Sequence, residues 1–344
     1  MTSSTNRNYQ IDLIKTIAII SIVFYHSTIW QHSYGYTGSQ YKCIAYIVGM
    51  GGALGNVLFI LCSGYLLSEK KIKRIKALKL YLEVLFYSLL AFVLMVVNKD
   101  KINYSDVFMP FTRNYYWFFT SYIIVFLLLP YINSLLEKLD EKSFKELLIT
   151  ELLFFSIIPT LIINNRITGS DGSSCKDTVV MIMVYTLGYY IKKYKPEFNT
   201  RGLLVVLLEV YVIMVGSEFW LGKIERSPAY FVWDWSKTTV IIMGVLIFLL
   251  CIRMDIKSNF VIRIVKLISK HTFGIYIIHW GLLRVHISKL MVFLKTRFNC
   301  NSIAITLIWT FSVVVTCCIV DMIGCRVYNW VFLKIDNAVN KRKN

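Results

Sequence analysis

No loop of this 344-residue chain is long enough to fold as a soluble module with its own core. The sequence contains no clear internal repeat, which disfavours a transporter built from duplicated halves. Acidic residues are scarce, with 20 Asp and Glu against 38 Lys and Arg, for a formal net charge of +18. The eight cysteines include no Cys-x-x-Cys pair, so we expect no structural metal site.

Hydrophobic residues dominate what is present. They make up 56% of the chain, and the mean hydropathy is +0.58, more than a soluble domain carries. The composition therefore predicts an all-α, polytopic membrane protein with a single membrane domain over residues 1–344. About ten apolar stretches approach the 17–25 residues that a bilayer requires. The predicted helices cover residues 12–31, 44–67, 78–97, 115–136, 146–163, 178–192, 203–221, 237–252, 271–293 and 302–325.

The basic residues are unevenly distributed between the loops. If the N-terminus is cytoplasmic, about twice as many fall on the cytoplasmic side as on the other. This bias explains the net charge without a nucleic-acid partner, and it predicts that both termini are cytoplasmic. No small-residue cleavage pattern follows the first apolar stretch, so we expect it to be retained. Segment 253–270 is basic and amphipathic, and we expect it to lie along the cytoplasmic interface.

The first predicted helix contains two ionisable residues, Lys15 and His26. Eleven positions make about three helical turns, so both side chains project from nearly the same face, roughly 16 Å apart. Ionisable groups inside a membrane span are costly, and they indicate a functional site by default.

Helix direction arranges the other polar residues in two layers. The inner layer, near the cytoplasm, contains Lys15 with Asp12, Glu83, Glu209 and Asp321. The outer layer contains His26 with Arg284 and His286, and His279 falls between the layers. Lys15 could pair with Asp12 or Glu83, which would hold helices together, or form a cationic entrance for a phosphate-bearing ligand, and both roles are compatible.

His26 and its neighbours also allow two interpretations. A histidine in an apolar helix is commonly a packing residue, but a desolvated imidazole can also take a proton from an attacking hydroxyl. Arg284 could hold a partner of the imidazole, stabilise an oxyanion, or snorkel to the interface. Ser63 and Trp117 are candidates for the acceptor path, although an aromatic residue at the start of a span is typical of an interfacial anchor.

Four stretches together resemble the acyltransferase 3 family of integral membrane acyltransferases. Lys15 and His26 match its Arg/Lys-x10-His motif, and Leu58–Leu67 (LFILCSGYLL) resembles the end of its second helix. The segment from Tyr115 through Ile132 resembles its Trp-Phe/Tyr-Leu…Pro helix, and Phe273–His279 (FGIYIIH) resembles a late helix of the family. Position 15 is Lys rather than the commoner Arg, which leaves a point charge in place of a bidentate fork.

The resemblance implies an enzyme that takes an acyl group, usually acetyl from acetyl-CoA, from the cytoplasmic side. The acceptor would be a hydroxyl of a glycan or a lipid-linked saccharide. His26 matches the essential imidazole and Lys15 the basic residue, but the spacing does not distinguish a general base from a transiently acylated histidine.

The predicted function is therefore O-acetylation of a cell-surface or capsular polysaccharide, or of its precursor, by a multi-pass protein of a bacterial plasma membrane. The predicted partners are acetyl-CoA, the glycan acceptor, the lipid bilayer and polysaccharide-synthesis machinery, without a metal. Two rivals are a transporter or flippase for lipid-linked saccharides and a structural partner of a polysaccharide synthase.

Overall fold

The structure is a computed structural model, and it describes residues 7–33, 38–98, 116–162, 174–224, 230–281, 292–293, 296–298 and 301–341. Helices account for 86% of these residues, and the described ranges contain no strand. The all-α prediction is therefore confirmed for the described part of the chain.

The described residues form eleven principal helices, which we number in chain order. They are α1 (Tyr9–Ser33), α2 (Ser39–Val48), α3 (Gly51–Leu67), α4 (Ile75–Val97), α5 (Trp117–Lys138), α6, α7 (Ser174–Tyr194), α8 (Thr200–Lys223), α9 (Thr238–Cys251), α10 (Asn259–Gly281) and α11 (Ser302–Lys341). Helix α6 has three parts: an α-helix over Glu141–Leu152, a π-helical turn over Leu153–Ile157 and a last α turn over Ile158–Leu161. Pro159 has no amide hydrogen, so it cannot donate the backbone hydrogen bond that an α-helix makes to the residue four positions earlier. The wider π-helical turn lies at this point of the chain.

Several helix limits differ from the sequence-based ones. The predicted helix over 44–67 is divided between α2 and α3, which are separated at Gly49 and Met50. Helix α10 begins at Asn259 rather than at 271, so most of the segment expected along the interface is helical, and its side chains are largely exposed. Helix α11 continues to Lys341, well beyond the expected end at 325. Apolar periodicity locates helices better than it locates their ends, because amphipathic turns extend a helix beyond its apolar part.

Within the described ranges, six helical stretches are long and apolar enough to cross a membrane. They are Tyr9–Gln31, Lys42–Leu67, Ile75–Val97, Trp117–Lys138, Thr200–Lys223 and Ser302–Lys334. Helix α9 is equally apolar but shorter. Six candidate spans support a multi-pass membrane protein, while the count of about ten spans and the cytoplasmic termini remain predictions.

Helix α1 lies between the two hydrophobic clusters of the bundle. Ile14 and Ala18 belong to a cluster with α3, α5, α7 and α9, whereas Ile19 and Val23 belong to a second cluster with α4, α10 and α11. All four side chains are fully buried. Residues on two faces of α1 are thus covered by other helices, and the polar side chains of α1 are confined between them.

Glycines allow α3 to approach its neighbours closely. A Cβ atom on Gly55 would lie 2.5 Å from Cγ1 of Ile22 and 2.6 Å from the carbonyl oxygen of Ala18 on α1. On the opposite flank, a Cβ atom on Gly64 would overlap the carbonyl oxygen of Tyr185 on α7. Small residues at these contacts bring helix backbones together, as is typical of membrane bundles.

A buried polar group connects α4, α10 and α11. The Asp321 carboxylate accepts a hydrogen bond from the Tyr87 hydroxyl and pairs with Nδ1 of His271 at 2.6 Å. Asp321 and His271 are 2% and 3% exposed. Gly274 lies directly against the Asp321 carboxylate, where a Cβ atom would overlap it. This part of the predicted inner layer therefore holds helices together, because each buried polar group has a partner.

Candidate active site

His26 and His279 form a hydrogen-bonded pair between α1 and α10. Nδ1 of His26 lies 2.8 Å from Nε2 of His279, and Nδ1 of His279 lies 2.8 Å from the carbonyl oxygen of Ile275. His279 is fully buried, while His26 is half-buried and lies in the wall of a cavity. The pair brings together two residues that the sequence placed at different depths.

The hydrogen bonds assign the tautomers of the pair. A carbonyl oxygen only accepts, so Nδ1 of His279 must carry a proton and donate it to Ile275. With both rings uncharged, Nε2 of His279 then holds a lone pair and accepts the proton carried by Nδ1 of His26. Nε2 of His26 is consequently the nitrogen that holds the lone pair. A fixed tautomer of this kind is what a general base requires.

Aromatic rings hold the His26 side chain in place. Its ring is stacked on Trp30, with centroids 5.8 Å apart and planes 11° apart, and its centroid lies 4.8 Å from that of Trp280. Rotation of the imidazole would disturb both contacts and the bond to His279. The ring is therefore oriented by packing as well as by hydrogen bonding.

The cavity beside His26, called here the His26 cavity, has a volume of about 260 Å³. Five tryptophans line it, together with Tyr25, Tyr276 and Asn56: they are Trp30, Trp117, Trp233, Trp235 and Trp280. Trp117, a predicted acceptor-path residue, thus lies at the same cavity as His26. Flat aromatic faces around a polar group are suited to a ring-shaped ligand that has both apolar and polar edges.

The segment that carries Trp233 and Trp235 is anchored by Asp234. The Asp234 carboxylate accepts hydrogen bonds from the backbone amide and the hydroxyl of Ser236 at 3.0 and 2.8 Å, and it pairs with the Lys176 ammonium at 2.5 Å. Burial acts to raise the pKa of Asp234, but Lys176 and Ser236 outweigh it and hold that pKa below its usual value. Trp235 adds a hydrogen bond from Nε1 to Asp177 at 3.0 Å.

Lys15 lies at a second cavity of about 180 Å³, called here the Lys15 cavity. Ser63 lines the same cavity, and its hydroxyl lies 3.5 Å from that of Tyr122 and donates to the carbonyl oxygen of Phe59 at 3.1 Å. Ser63, a candidate for the acceptor path, therefore lies beside Lys15 and not among the residues that line the His26 cavity.

The predicted acidic partners of Lys15 are engaged elsewhere. Asp12 pairs with Arg7 at 2.5 Å and accepts a hydrogen bond from Ser269 at 2.5 Å, while Glu83 accepts one from Tyr328 at 3.3 Å. Among the residues that the structure describes, no carboxylate lies within 4.0 Å of the Lys15 ammonium. The geometry therefore favours a cationic cavity over the charge-pair interpretation.

Tyr276 lines both cavities. Its ring centroid is 5.6 Å from that of Phe118, which lines the Lys15 cavity, and 6.1 Å from that of His279. Tyr276 thus lies between the lysine side and the histidine side of the site. A ligand that reached both cavities would pass along this ring.

Arg284 and His286 lie outside the described residues. Sequence reasoning did not single out Asn56, Tyr276, Trp233 or Trp235. The Phe273–His279 segment contained a signal for Tyr276, because residues three apart on a helix share a face and His279 was already a candidate.

The chain was also compared with known proteins. Residues 8–324 match the family model Acyl_transf_3, described as an acyltransferase domain. No curated protein and no solved structure matches the chain. Within the described ranges, no group of three or more His, Cys, Asp or Glu side chains is placed to hold a metal ion. Since the family model covers most of the chain, the resemblance seen in the sequence is confirmed: the protein belongs to the acyltransferase 3 family, whose members are membrane acyltransferases.

Proposed function

We propose that this protein is an O-acetyltransferase that uses cytoplasmic acetyl-CoA to acetylate a hydroxyl of a cell-surface or capsular polysaccharide, or of its lipid-linked precursor. Acyltransferase membership follows from the family match, and the donor, the acceptor and the residue roles are the proposal. The observation that carries it is the His26–His279 pair in the wall of an aromatic cavity.

In the proposed mechanism, His26 is the general base. The acceptor hydroxyl lies in the His26 cavity and gives its proton to Nε2 of His26 as its oxygen attacks the thioester carbonyl carbon. The resulting tetrahedral intermediate collapses with cleavage of the carbon–sulfur bond. The protonated His26 returns its proton to the departing thiolate, so the products are the acetyl ester and free CoA.

The Lys15 cavity is the proposed approach for the donor. The Lys15 ammonium has no carboxylate partner among the described residues, and a lysine point charge suits the phosphates of acetyl-CoA. The positive-inside prediction places this end of α1 near the cytoplasm, where acetyl-CoA is made available. Donor and acceptor would then arrive from opposite sides and meet beside Tyr276.

The lining of the His26 cavity supports a saccharide acceptor. Tryptophan faces pack against the apolar C–H faces of a sugar ring, while polar groups bind its hydroxyls. The anchoring of Trp235 and Asp234 to α7 supports a cavity that is formed before the ligand arrives.

The test uses purified protein in liposomes, labelled acetyl-CoA and a panel of surface glycans. The wild-type protein is expected to form acetylated glycan, and the His26→Asn variant is expected to lose about 10²- to 10⁴-fold in rate. Asparagine is the matched substitution because its amide can still donate to His279 while it provides no base. Undiminished transfer by His26→Asn would refute the mechanism, and movement of a lipid-linked saccharide without acetylation would favour the flippase alternative.

A further inference from the structure

Asn56 presents its side-chain amide to the His26 cavity, and no described residue is its hydrogen-bond partner. The residue is only 8% exposed, and it lines this cavity together with His26. Within the described part of the chain, no hydrogen bond involves its side chain. Buried amides are almost always hydrogen-bonded, so an amide that no described residue satisfies and that faces a cavity points to a ligand.

The helix packing places Asn56 close to the reacting groups. Gly51 packs against Ser21 and Gly55 packs against Ala18, so α1 and α3 run antiparallel. Asn56, next to Gly55, therefore lies about two helical turns from His26 along α1, in the direction of Lys15. Cβ atoms tilt toward the N-terminus of their helix, which directs the Asn56 side chain back toward the level of His26.

This position is where the proposed reaction develops negative charge. The acceptor hydroxyl is expected at His26, and the thioester is expected from the side of Lys15 and Tyr276. The thioester carbonyl would therefore lie between them, next to Asn56. Its oxygen becomes an oxyanion when the hydroxyl attacks, and a fixed amide donor in a site shielded from water stabilises such a charge strongly.

We propose that Asn56 forms the oxyanion hole of this enzyme, an inference that rests on the acyl transfer proposed above. Nδ2 of Asn56 donates a hydrogen bond to the thioester carbonyl oxygen, and the bond strengthens as the carbon–oxygen π electrons move onto that oxygen. When the intermediate collapses, those electrons re-form the carbonyl and the carbon–sulfur bond breaks. Asn56 neither gains nor loses a proton, and the proton transferred in the reaction stays with His26 until it reaches the thiolate.

Two other donors near Asn56 are engaged or lie elsewhere, although the indole of Trp280 also lines the His26 cavity. The indole N–H of Trp235 is already donated to Asp177, and Lys15 belongs to the other cavity. Asparagine also carries no charge, so it can remain in a largely apolar cavity while it waits for the substrate.

The test compares Asn56→Ala and Asn56→Asp with the wild-type protein in the liposome assay, with acetyl-CoA as the varied substrate. Aspartate has nearly the shape of asparagine but offers only acceptor oxygens when ionised. We expect kcat to fall by about 10²- to 10³-fold in both variants while the KM for acetyl-CoA changes little, because the bond matters most in the transition state. Thermal melting of each variant shows whether it is folded, and the near-isosteric Asn56→Asp provides the result if Asn56→Ala does not fold.

The matched control is Ser88→Ala on α4. Ser88 is 3% exposed, its hydroxyl has no partner among the described residues, and it lines neither cavity. We expect it to keep the wild-type kcat. If Asn56→Ala and Asn56→Asp also keep it while His26→Asn is inactive, the oxyanion role is wrong and the proposed function stands. If His26→Asn is fully active, the proposed function itself fails.

Discussion

Replacing His279 should impair transfer without affecting donor binding. In a His279→Leu variant, Nδ1–H of His26 would lose its acceptor, now 2.8 Å away, inside a largely buried site. Leaving a buried donor unsatisfied costs about 1–3 kcal/mol. The ring can avoid this cost by rotating or by moving its proton to Nε2, and either change removes the base. We therefore expect kcat to fall by about 5- to 150-fold, the factor that corresponds to a free-energy difference of this size.

The matched variant is His279→Gln, whose side-chain carbonyl can accept the same hydrogen bond from His26. We expect this variant to recover most of the activity lost in His279→Leu. The assay measures kcat and the KM for acetyl-CoA with glycan at saturation, and thermal melting confirms that both variants are folded. Wild-type kcat in His279→Leu would refute the reasoning, and so would equal losses in the leucine and glutamine variants.

Three further predictions concern the donor cavity, the helix packing and the tryptophan segment. Lys15→Ala should raise the KM for acetyl-CoA by about tenfold, because the loss of one charged contact costs roughly 1.5 kcal/mol of binding free energy. Lys15→Arg keeps the charge and should retain much of the activity. An unchanged KM in Lys15→Ala would contradict the donor role. Gly64→Ala should lower the melting temperature, because the new Cβ atom would overlap the Tyr185 carbonyl oxygen. The control Gly216→Ala has open space around its Cβ atom and should be neutral or slightly stabilising. Equal melting temperatures of the two variants would be evidence against the close α3–α7 packing. The depressed pKa of Asp234 means that its ionised form stabilises the folded segment above about pH 4 and that this contribution is lost as the pH falls through the depressed value. In Lys176→Met the loss should begin at higher pH, which tryptophan fluorescence would detect, and identical acid profiles would argue against the ion pair.

The sequence singled out four polar or aromatic residues that line the two cavities of the structure. A charged or imidazole side chain in an apolar helix must be accommodated, so its presence alone marks a special position. Lys15, Ser63, His26 and Trp117 were all identified in this way or through the family motifs, and each lies at one of the two cavities. Their assigned roles remain predictions to be tested.

Other parts of the site depend on helix rotation and neighbours, which no single-helix pattern contains. Asn56 looks like an isolated polar residue in a glycine-rich apolar helix until the cavity beside it is seen. Trp233 and Trp235 lie in a connecting segment whose course depends on the contacts of Asp234 and Trp235 with α7. The pairing of Lys15 with Asp12 was reasonable from their spacing, but Arg7 and Ser269 take that carboxylate in the structure.

The membrane character, the helical class and the family follow from the order of residues alone, because hydrophobic composition, apolar segment length and local motifs are properties of the linear chain. Tertiary structure alone decided which imidazole nitrogen holds the lone pair. That assignment needs the carbonyl of Ile275, the ring of His279 and the ring of His26 in one line, and two of these three groups come from a helix more than 200 residues away from His26 in the chain. Hydrogen-bond direction depends on the relative position of helices, and only the packed bundle defines that position.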